Sequence, residues 1–130
     1  MKQFLPILII GAGPVGLSLA LSLARVGIHA EVYEADEELN TQIRASTFHP
    51  KTLELFENWG VVDEIIKHGY KVNQLQYWER ATRTIIADFD YQVIAKDTKY
   101  PYRLQCPQHI TTRVLKPAVE LTEFGKVYMG

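Results

Sequence analysis

The sequence has little cysteine and almost no net charge. Cys106 is its single cysteine, so no disulfide can form within one copy of the chain. A reducing compartment, the cytoplasm, is therefore the simplest expectation. Fourteen basic and 15 acidic residues leave a formal net charge of −1, which argues against binding nucleic acid through a basic face. No neighbouring pair of His and acid would activate Cys106, so we interpret it as a packing residue.

The sequence also lacks the spacings that are typical of metal sites and of nucleophilic catalysis. Its four histidines are not spaced as metal ligands, and each is interpreted as a surface or packing residue. No Gly-x-Ser-x-Gly elbow is present. We therefore predict no metal site, and the sequence names no catalytic residue.

A long uncharged run opens the chain of 130 residues, of which 47% are hydrophobic. Residues 4–24 carry no charged side chain, a pattern that a signal peptide or a membrane anchor could also produce. Gly11-Ala12-Gly13-Pro14 breaks the run in the middle. A short strand followed by a packed helix explains both halves, so we predict no membrane span.

The glycines in this break have the spacing Gly-x-Gly-x-x-Gly, between a strand pattern and a helix pattern. Ile7-Leu8-Ile9-Ile10 predicts a buried strand that starts after Pro6. The segment from Pro14 to Val26 predicts a helix that stops at Gly27. This arrangement is typical of a Rossmann-like α/β fold, in which the turn holds the pyrophosphate of a dinucleotide.

Each residue of the turn has a separate physical role. Gly11 permits the tight turn, and Gly13 lets a phosphate approach the backbone. Gly16 allows the helix to pack closely on the strand. The amide of Val15 is free to donate to a phosphate oxygen at the helix N-terminus. Pro14 fits at the first helical position, where its missing N–H has no partner to lose.

An acidic residue follows at the distance that such sites require. His29–Tyr33 predicts a second strand, and Glu34 lies at its end, 18 residues after Gly16. An acid about 20 residues after the turn binds the ribose hydroxyls of a dinucleotide. The alternative is a structural turn with Glu34 as a solvated strand end.

The middle of the chain predicts two short helices and then a β-rich part. The helices are predicted over Thr52–Trp59 and Val61–Lys67. Strand patterns at 75–79 and 84–89 flank a turn at Ala81-Thr82, which predicts a hairpin inserted into the nucleotide fold. We expect residues 72–104 to form this inserted part on the substrate side. The alternative is an ordinary extension of the main sheet.

The end of the chain predicts one more helix and one more strand. Pro107-Gln108 opens a helix that runs through Lys116 and is kinked or interrupted by Pro117. The segment Lys126–Met129 predicts the first residues of a further strand.

Three stretches, which together span nearly the whole chain, carry a resemblance to a known family. They are Gly11–Leu17 with Glu34; Arg44–Pro50 running into Thr52–Leu55; and Pro101–Gln108 running into Arg113–Leu115. In this order they resemble the N-terminal part of FAD-dependent aromatic-ring monooxygenases, the family of para-hydroxybenzoate, phenol and 3-(3-hydroxyphenyl)propionate hydroxylases.

The resemblance implies a cofactor, a reaction and two further site residues. It implies FAD as the cofactor and hydroxylation of an aromatic small molecule with NAD(P)H and O2. In this family the Arg that matches Arg44 helps to hold the pyrophosphate side of FAD, as a guanidinium fork can. The Gln that matches Gln108 also contacts FAD, and its amide can donate and accept. Without the resemblance, Arg44 would be a solvated loop residue and Gln108 a helix-cap residue.

Members of the family are several hundred residues long, so we expect residues 1–130 to be an N-terminal FAD-binding segment that is truncated and incomplete for catalysis alone. Exposed strand edges and apolar surface would then favour self-association. Two alternatives stay open. One is a fragment of another FAD- or NAD-dependent oxidoreductase. The other is a non-catalytic remnant that binds nucleotide or only binds partners.

Overall fold

Strands and helices alternate along the computed structural model, which describes residues 5–42 and 44–130. The elements in chain order are β1 (Ile7–Ile10), α1 (Pro14–Arg25), β2 (Ala30–Glu34), β3 (Thr47–Phe48), α2 (Pro50–Asn58), α3 (Val62–Lys67), β4 (Tyr70–Val72), β5 (Gln74–Glu79), β6 (Thr84–Asp90), β7 (Arg103–Gln105), α4 (Gln108–Glu120) and β8 (Gly125–Met129).

The main sheet consists of three parallel strands in the order β1-β2-β8. Ile9 pairs with Val32, and Val32 pairs with Val127. Parallel neighbours require a crossover connection, and α1 provides it between β1 and β2. The helices α1 and α4 pack against each other and against the sheet. The predicted Rossmann-like α/β fold is confirmed.

The part of the chain that the structure describes covers only one face of this sheet, which corrects the prediction that β1 is buried. Ile9 is buried with Val32 under the helices, but Leu8 is 62% exposed and Ile10 is 84% exposed. Alternate residues of a strand point to opposite faces, and the helices cover only the face that carries Ile9. On the opposite face the rings of Tyr33 and Tyr128 stack, with their centroids 4.8 Å apart.

The packing of α1 on β1 depends on Gly16. A Cβ atom at this position would lie 2.1 Å from the carbonyl oxygen of Gly11 and 3.3 Å from Cγ2 of Ile9. The first distance is far below van der Waals contact, so the close approach of helix and strand excludes any larger residue. Leu17 and Leu21 on the same helix are fully buried.

The ends of α1 lie where the sequence predicts them. Pro14 is at the first helical position, and Gly27, with φ +78°, follows the last turn. The described part of the uncharged opening run therefore folds as strand, turn and helix. Within residues 5–42 and 44–130, no helix is long and apolar enough to span a membrane.

A second, antiparallel sheet in the order β3-β7-β4 was not predicted. Phe48 pairs with Leu104, and Lys71 pairs with Leu104 from the other side. The predicted helices α2 and α3 pack against each other and bury Leu53 and Ile65. Strands of two or three residues are too short to show an alternating pattern, so no pattern in the sequence predicts them.

The hairpin of β5 and β6 forms a sheet of its own. Leu75 pairs with Phe89 and Tyr77 with Ala87, and the register shifts between Tyr77 and Trp78. Since the hairpin does not pair with the parallel strands, the alternative that it extends the main sheet is wrong.

Of the kink or interruption predicted for α4 at Pro117, the interruption is wrong. The helix continues to Glu120, and the Leu121 amide donates to the Pro117 carbonyl at 2.9 Å. Leu115 and Val119 are fully buried on either side of the proline. Burial of these two side chains holds the helix together although proline removes one backbone donor.

Candidate functional site

A cavity of about 290 Å³ lies at the carboxyl ends of β1 and β2. Three separate segments line it: the glycine turn after β1, the end of β2 with the loop that follows, and the first half of α4. The lining residues are Ala12 and Gly13; Glu34, Asp36, Asn40 and Arg44; and Gln108 and Thr112. Open α/β sheets bind their ligands at this edge.

The glycine turn leaves its part of the cavity open. Gly11 has φ +100°, a conformation that favours glycine. A Cβ atom added at Gly13 would meet no atom within 4 Å. Because Gly13 lines the cavity, any larger side chain at this position would project into open space.

The N-terminus of α1 has no side-chain cap. Gly13 is its N-cap residue, and within residues 5–42 and 44–130 no side-chain cap bonds to this end of the helix. The Leu17 amide donates to the Gly13 carbonyl at 3.0 Å, so the amides of Val15 and Gly16 precede the first helical hydrogen bond. The first turn contains no acidic residue. Free amides and the positive end of the helix dipole suit an anionic ligand such as phosphate.

Glu34 connects the ends of β1 and β2. Its Oε2 accepts from the Ala12 amide at 2.8 Å, and its Oε1 accepts from the Asp36 amide at 3.2 Å. The hydrogen bond from Ala12, followed by that from Asp36, holds the pKa of Glu34 below its usual value. The carboxylate is therefore ionised at neutral pH and remains an acceptor beside the cavity. The sequence does not reveal its bond to Ala12.

Backbone hydrogen bonds bring Arg44 and Gln108 to the same cavity. The Gln108 amide donates to the Ala45 carbonyl at 3.0 Å, and the Cys106 amide donates to the Ser46 carbonyl at 2.7 Å. These bonds fix the loop that carries Arg44 against the start of α4. A guanidinium and a carboxamide are thus held where one ligand can reach both.

Cys106 itself is buried away from this chemistry. Burial raises the pKa of its thiol, and the nearby Thr111 hydroxyl partly opposes the rise. A neutral buried thiol is a packing group rather than a nucleophile.

Four of the seven predicted cofactor residues line the cavity: Gly13, Glu34, Arg44 and Gln108. The other three, Gly11, Val15 and Gly16, shape the turn and the helix start next to it.

The sequence reasoning missed Ala12, Asp36, Asn40 and Thr112. A signal was available for Thr112, because it lies four residues after Gln108 and therefore on the same face of α4. No comparable signal shows which polar residues of the loop after β2 face the cavity.

A second cavity, of about 410 Å³, lies on the hairpin. None of the predicted cofactor residues lines it. Its walls are mostly apolar and come from one stretch of chain: Leu75, Tyr77, Phe89, Asp90, Tyr91, Val93 and Ile94.

Comparison with known proteins identifies the kind of domain to which this geometry corresponds. The family model described as "FAD binding domain" matches residues 5–130. Para-nitrophenol 4-monooxygenase of Pseudomonas sp. (strain WBC-3) is 31% identical over 109 residues, which are 84% of this chain and 27% of that protein. A protein of Bacillus subtilis (strain 168) named as an uncharacterized aromatic compound monooxygenase, YhjG, is 37% identical over 108 residues, 83% of this chain and 20% of that protein.

A solved structure shows the same fold. The crystal structure of p-nitrophenol 4-monooxygenase PnpA from Pseudomonas putida DLL-E4 superposes with a TM-score of 0.86 at 27% identity, and covers 99% of this chain and 32% of that one. The chain thus spans about a fifth to a third of the length of these three proteins.

Proposed function

Since this chain belongs to the FAD-binding domain family of FAD-dependent aromatic monooxygenases, we propose that its cavity at the ends of β1 and β2 holds the pyrophosphate and adjoining ribose of FAD. One observation carries the proposal. The uncapped N-terminus of α1, the Glu34 carboxylate, the Arg44 guanidinium and the Gln108 carboxamide converge on one cavity from distant parts of the chain.

Each of these groups matches a different part of a dinucleotide. The free amides of α1 and the cationic Arg44 suit the two negative charges of the pyrophosphate. Glu34 is ionised and is an acceptor only, which suits ribose hydroxyl donors. Gln108 both donates and accepts. Gly13 offers the pyrophosphate a stretch of backbone without a side chain.

The volume of the cavity suits one part of FAD. Cavities that bury a whole drug-sized ligand measure roughly 300–1,000 Å³, and this one measures about 290 Å³. We accordingly assign only the pyrophosphate and the adjoining ribose to this cavity.

We further propose that the domain serves hydroxylation of an aromatic small molecule with NAD(P)H and O2, the chemistry that a bound flavin supplies. The names of its relatives support an aromatic substrate, although the chain spans 27% and 20% of the first two. No residue of this chain is assigned as catalytic. The hairpin, in a sheet of its own, suits the substrate side that we propose for residues 72–104.

Exposed apolar surface supports the proposal that the chain self-associates on its own. Leu8 and Ile10 lie on the uncovered face of the main sheet, and β1 presents a free edge. Size-exclusion chromatography over a range of concentrations tests this, and a monomer at all concentrations would contradict it. The single buried cysteine agrees with our proposal of a cytoplasmic location.

The proposed function is tested by incubating the purified chain with FAD, removing free cofactor by desalting and recording the absorbance spectrum. We expect the wild-type chain to retain flavin and Gly13→Glu to lose it, because the new side chain enters the cavity with a negative charge. The fold should survive this change, since the added Cβ meets no atom within 4 Å.

Val26→Glu is the matched control. It adds the same side chain at the other end of α1, at a position that is 71% exposed, and should leave flavin retention unchanged. A folded wild-type chain that retains no flavin would contradict the proposal. Parallel titration with NAD tests the alternative cofactor.

A further inference from the structure

Thr112 is a buried polar residue in the wall of the cavity. It is 4% exposed and lies one helical turn after Gln108 on α4. Residues four apart on a helix lie on the same face, so Thr112 and Gln108 present neighbouring side chains to the same space.

The hydroxyl of Thr112 has bonding capacity left over. It donates to the carbonyl oxygen of His109 at 3.1 Å and, at 3.4 Å, to that of Gln108. A hydroxyl also has two acceptor lone pairs, and it can rotate to donate elsewhere. A further hydrogen-bond partner of this hydroxyl can reach it from the cavity.

The preceding residue provides a contrast within the same helix. Thr111 is also buried, at 0% exposure, but it does not line the cavity. Its hydroxyl is close enough to Cys106 to affect the pKa of that thiol. Of two adjacent buried threonines, one therefore faces the protein interior and the other the cavity.

We propose that Thr112 is a further FAD-binding residue, whose hydroxyl forms a hydrogen bond with the dinucleotide beside Gln108. The proposal rests on the proposed function, since it concerns the same cavity. It adds a contact that the sequence motifs do not contain.

The test compares Thr112→Val, which removes the hydroxyl at nearly constant volume, with Thr112→Ser, which keeps it, and with Thr111→Val as the matched control. The Kd for FAD is measured on the full chain by fluorescence titration, and the melting temperature is measured without FAD. We expect Thr112→Val to weaken binding roughly 2- to 13-fold, the range for one neutral hydrogen bond. Thr112→Ser and Thr111→Val should bind like the wild type.

Equal affinity of Thr112→Val and the wild type would overturn the inference and leave the proposed function intact. An equal loss in Thr111→Val would also overturn it, because the effect would then come from the helix rather than from a contact. If Thr112→Val does not fold, Thr112→Ala replaces it with the same expectation. A wild-type chain that binds no FAD would overturn the proposed function itself.

Discussion

The cavity at the ends of β1 and β2 and the cavity on the hairpin differ in origin as well as in lining. The cavity at the ends of β1 and β2 is the smaller of the two. Its walls are mostly polar, and they come from segments that are far apart in sequence. The hairpin cavity is larger, mostly apolar and formed by residues 75–94 alone. Polar groups from distant segments meet only when the tertiary structure is complete. Convergence of such groups, rather than size, is therefore the reason why we propose the smaller cavity as the ligand site.

The largest expected effect is a loss of stability, and it should distinguish the glycine that packs α1 on β1 from the glycine that lines the polar cavity. Gly16→Ala places a Cβ atom 2.1 Å from the Gly11 carbonyl oxygen, and should lower the free energy of unfolding by roughly 3 kcal/mol or more, at the upper end of overpacking effects. Gly13→Ala meets no atom and should change stability by less than about 1 kcal/mol. Thermal and denaturant unfolding measure both. Similar losses in the two variants would contradict the assignment of separate roles to these glycines.

The next largest effect should come from the cationic wall of the polar cavity. Arg44→Ala is expected to weaken FAD binding by roughly 10- to 150-fold, the range for hydrogen bonds to charged groups. Arg44→Lys should restore part of the affinity, since it keeps the charge without the planar fork. Arg80→Ala, at an exposed position in the hairpin turn, is the control in the other region. Isothermal titration with FAD measures the Kd of each variant. Equal losses of affinity in Arg44→Ala and Arg80→Ala would argue against the site.

A smaller effect should appear in the pH dependence of stability. The pKa of Glu34 is lowered in the folded chain, first by the hydrogen bond from Ala12. A lowered folded-state pKa stabilises the fold above the usual value of 4.5, and this contribution is lost as the pH falls through the folded-state pKa.

Melting temperatures from neutral pH to about pH 3 should therefore fall less steeply for Glu34→Gln than for the wild type. Glu38→Gln, in the exposed loop that follows β2, should melt as the wild type does. Parallel curves for all three proteins would show that the Glu34 bond to Ala12 contributes nothing.

The smallest effect is expected in the hairpin cavity. Phe89→Ala removes a ring whose centroid lies 6.1 Å from that of Tyr77, and should loosen the hairpin while leaving the Kd for FAD unchanged. Hydrogen exchange of the hairpin amides reports the first effect and FAD titration the second. A marked loss of FAD affinity in Phe89→Ala would contradict the proposal that FAD binds in the polar cavity and not in the hairpin cavity.

The strand, turn and helix around the glycines could be predicted from sequence because the information is local. Gly11 and Gly16 show the turn and the close packing, and Glu34 marks the end of the next strand. The second sheet could not be predicted, because its strands contain only two or three residues.

The residues of the candidate site could be predicted from the sequence only in part, for a different reason. Arg44 and Gln108 were identified through a family resemblance, since nothing in their local sequence brings them together. What joins them is the backbone bond from Gln108 to Ala45, a tertiary contact. Thr112 shares a face of α4 with Gln108, which the sequence shows, but that this face is turned toward the glycine turn is a tertiary feature.

The most direct test of the central claim is to follow the backbone amide resonances of the full chain by NMR during titration with FAD. We predict that the largest shifts occur around Gly13, Glu34, Arg44 and Thr112, while residues 75–94 change little. Shifts concentrated in the hairpin, or none at all in a folded chain, would contradict the account.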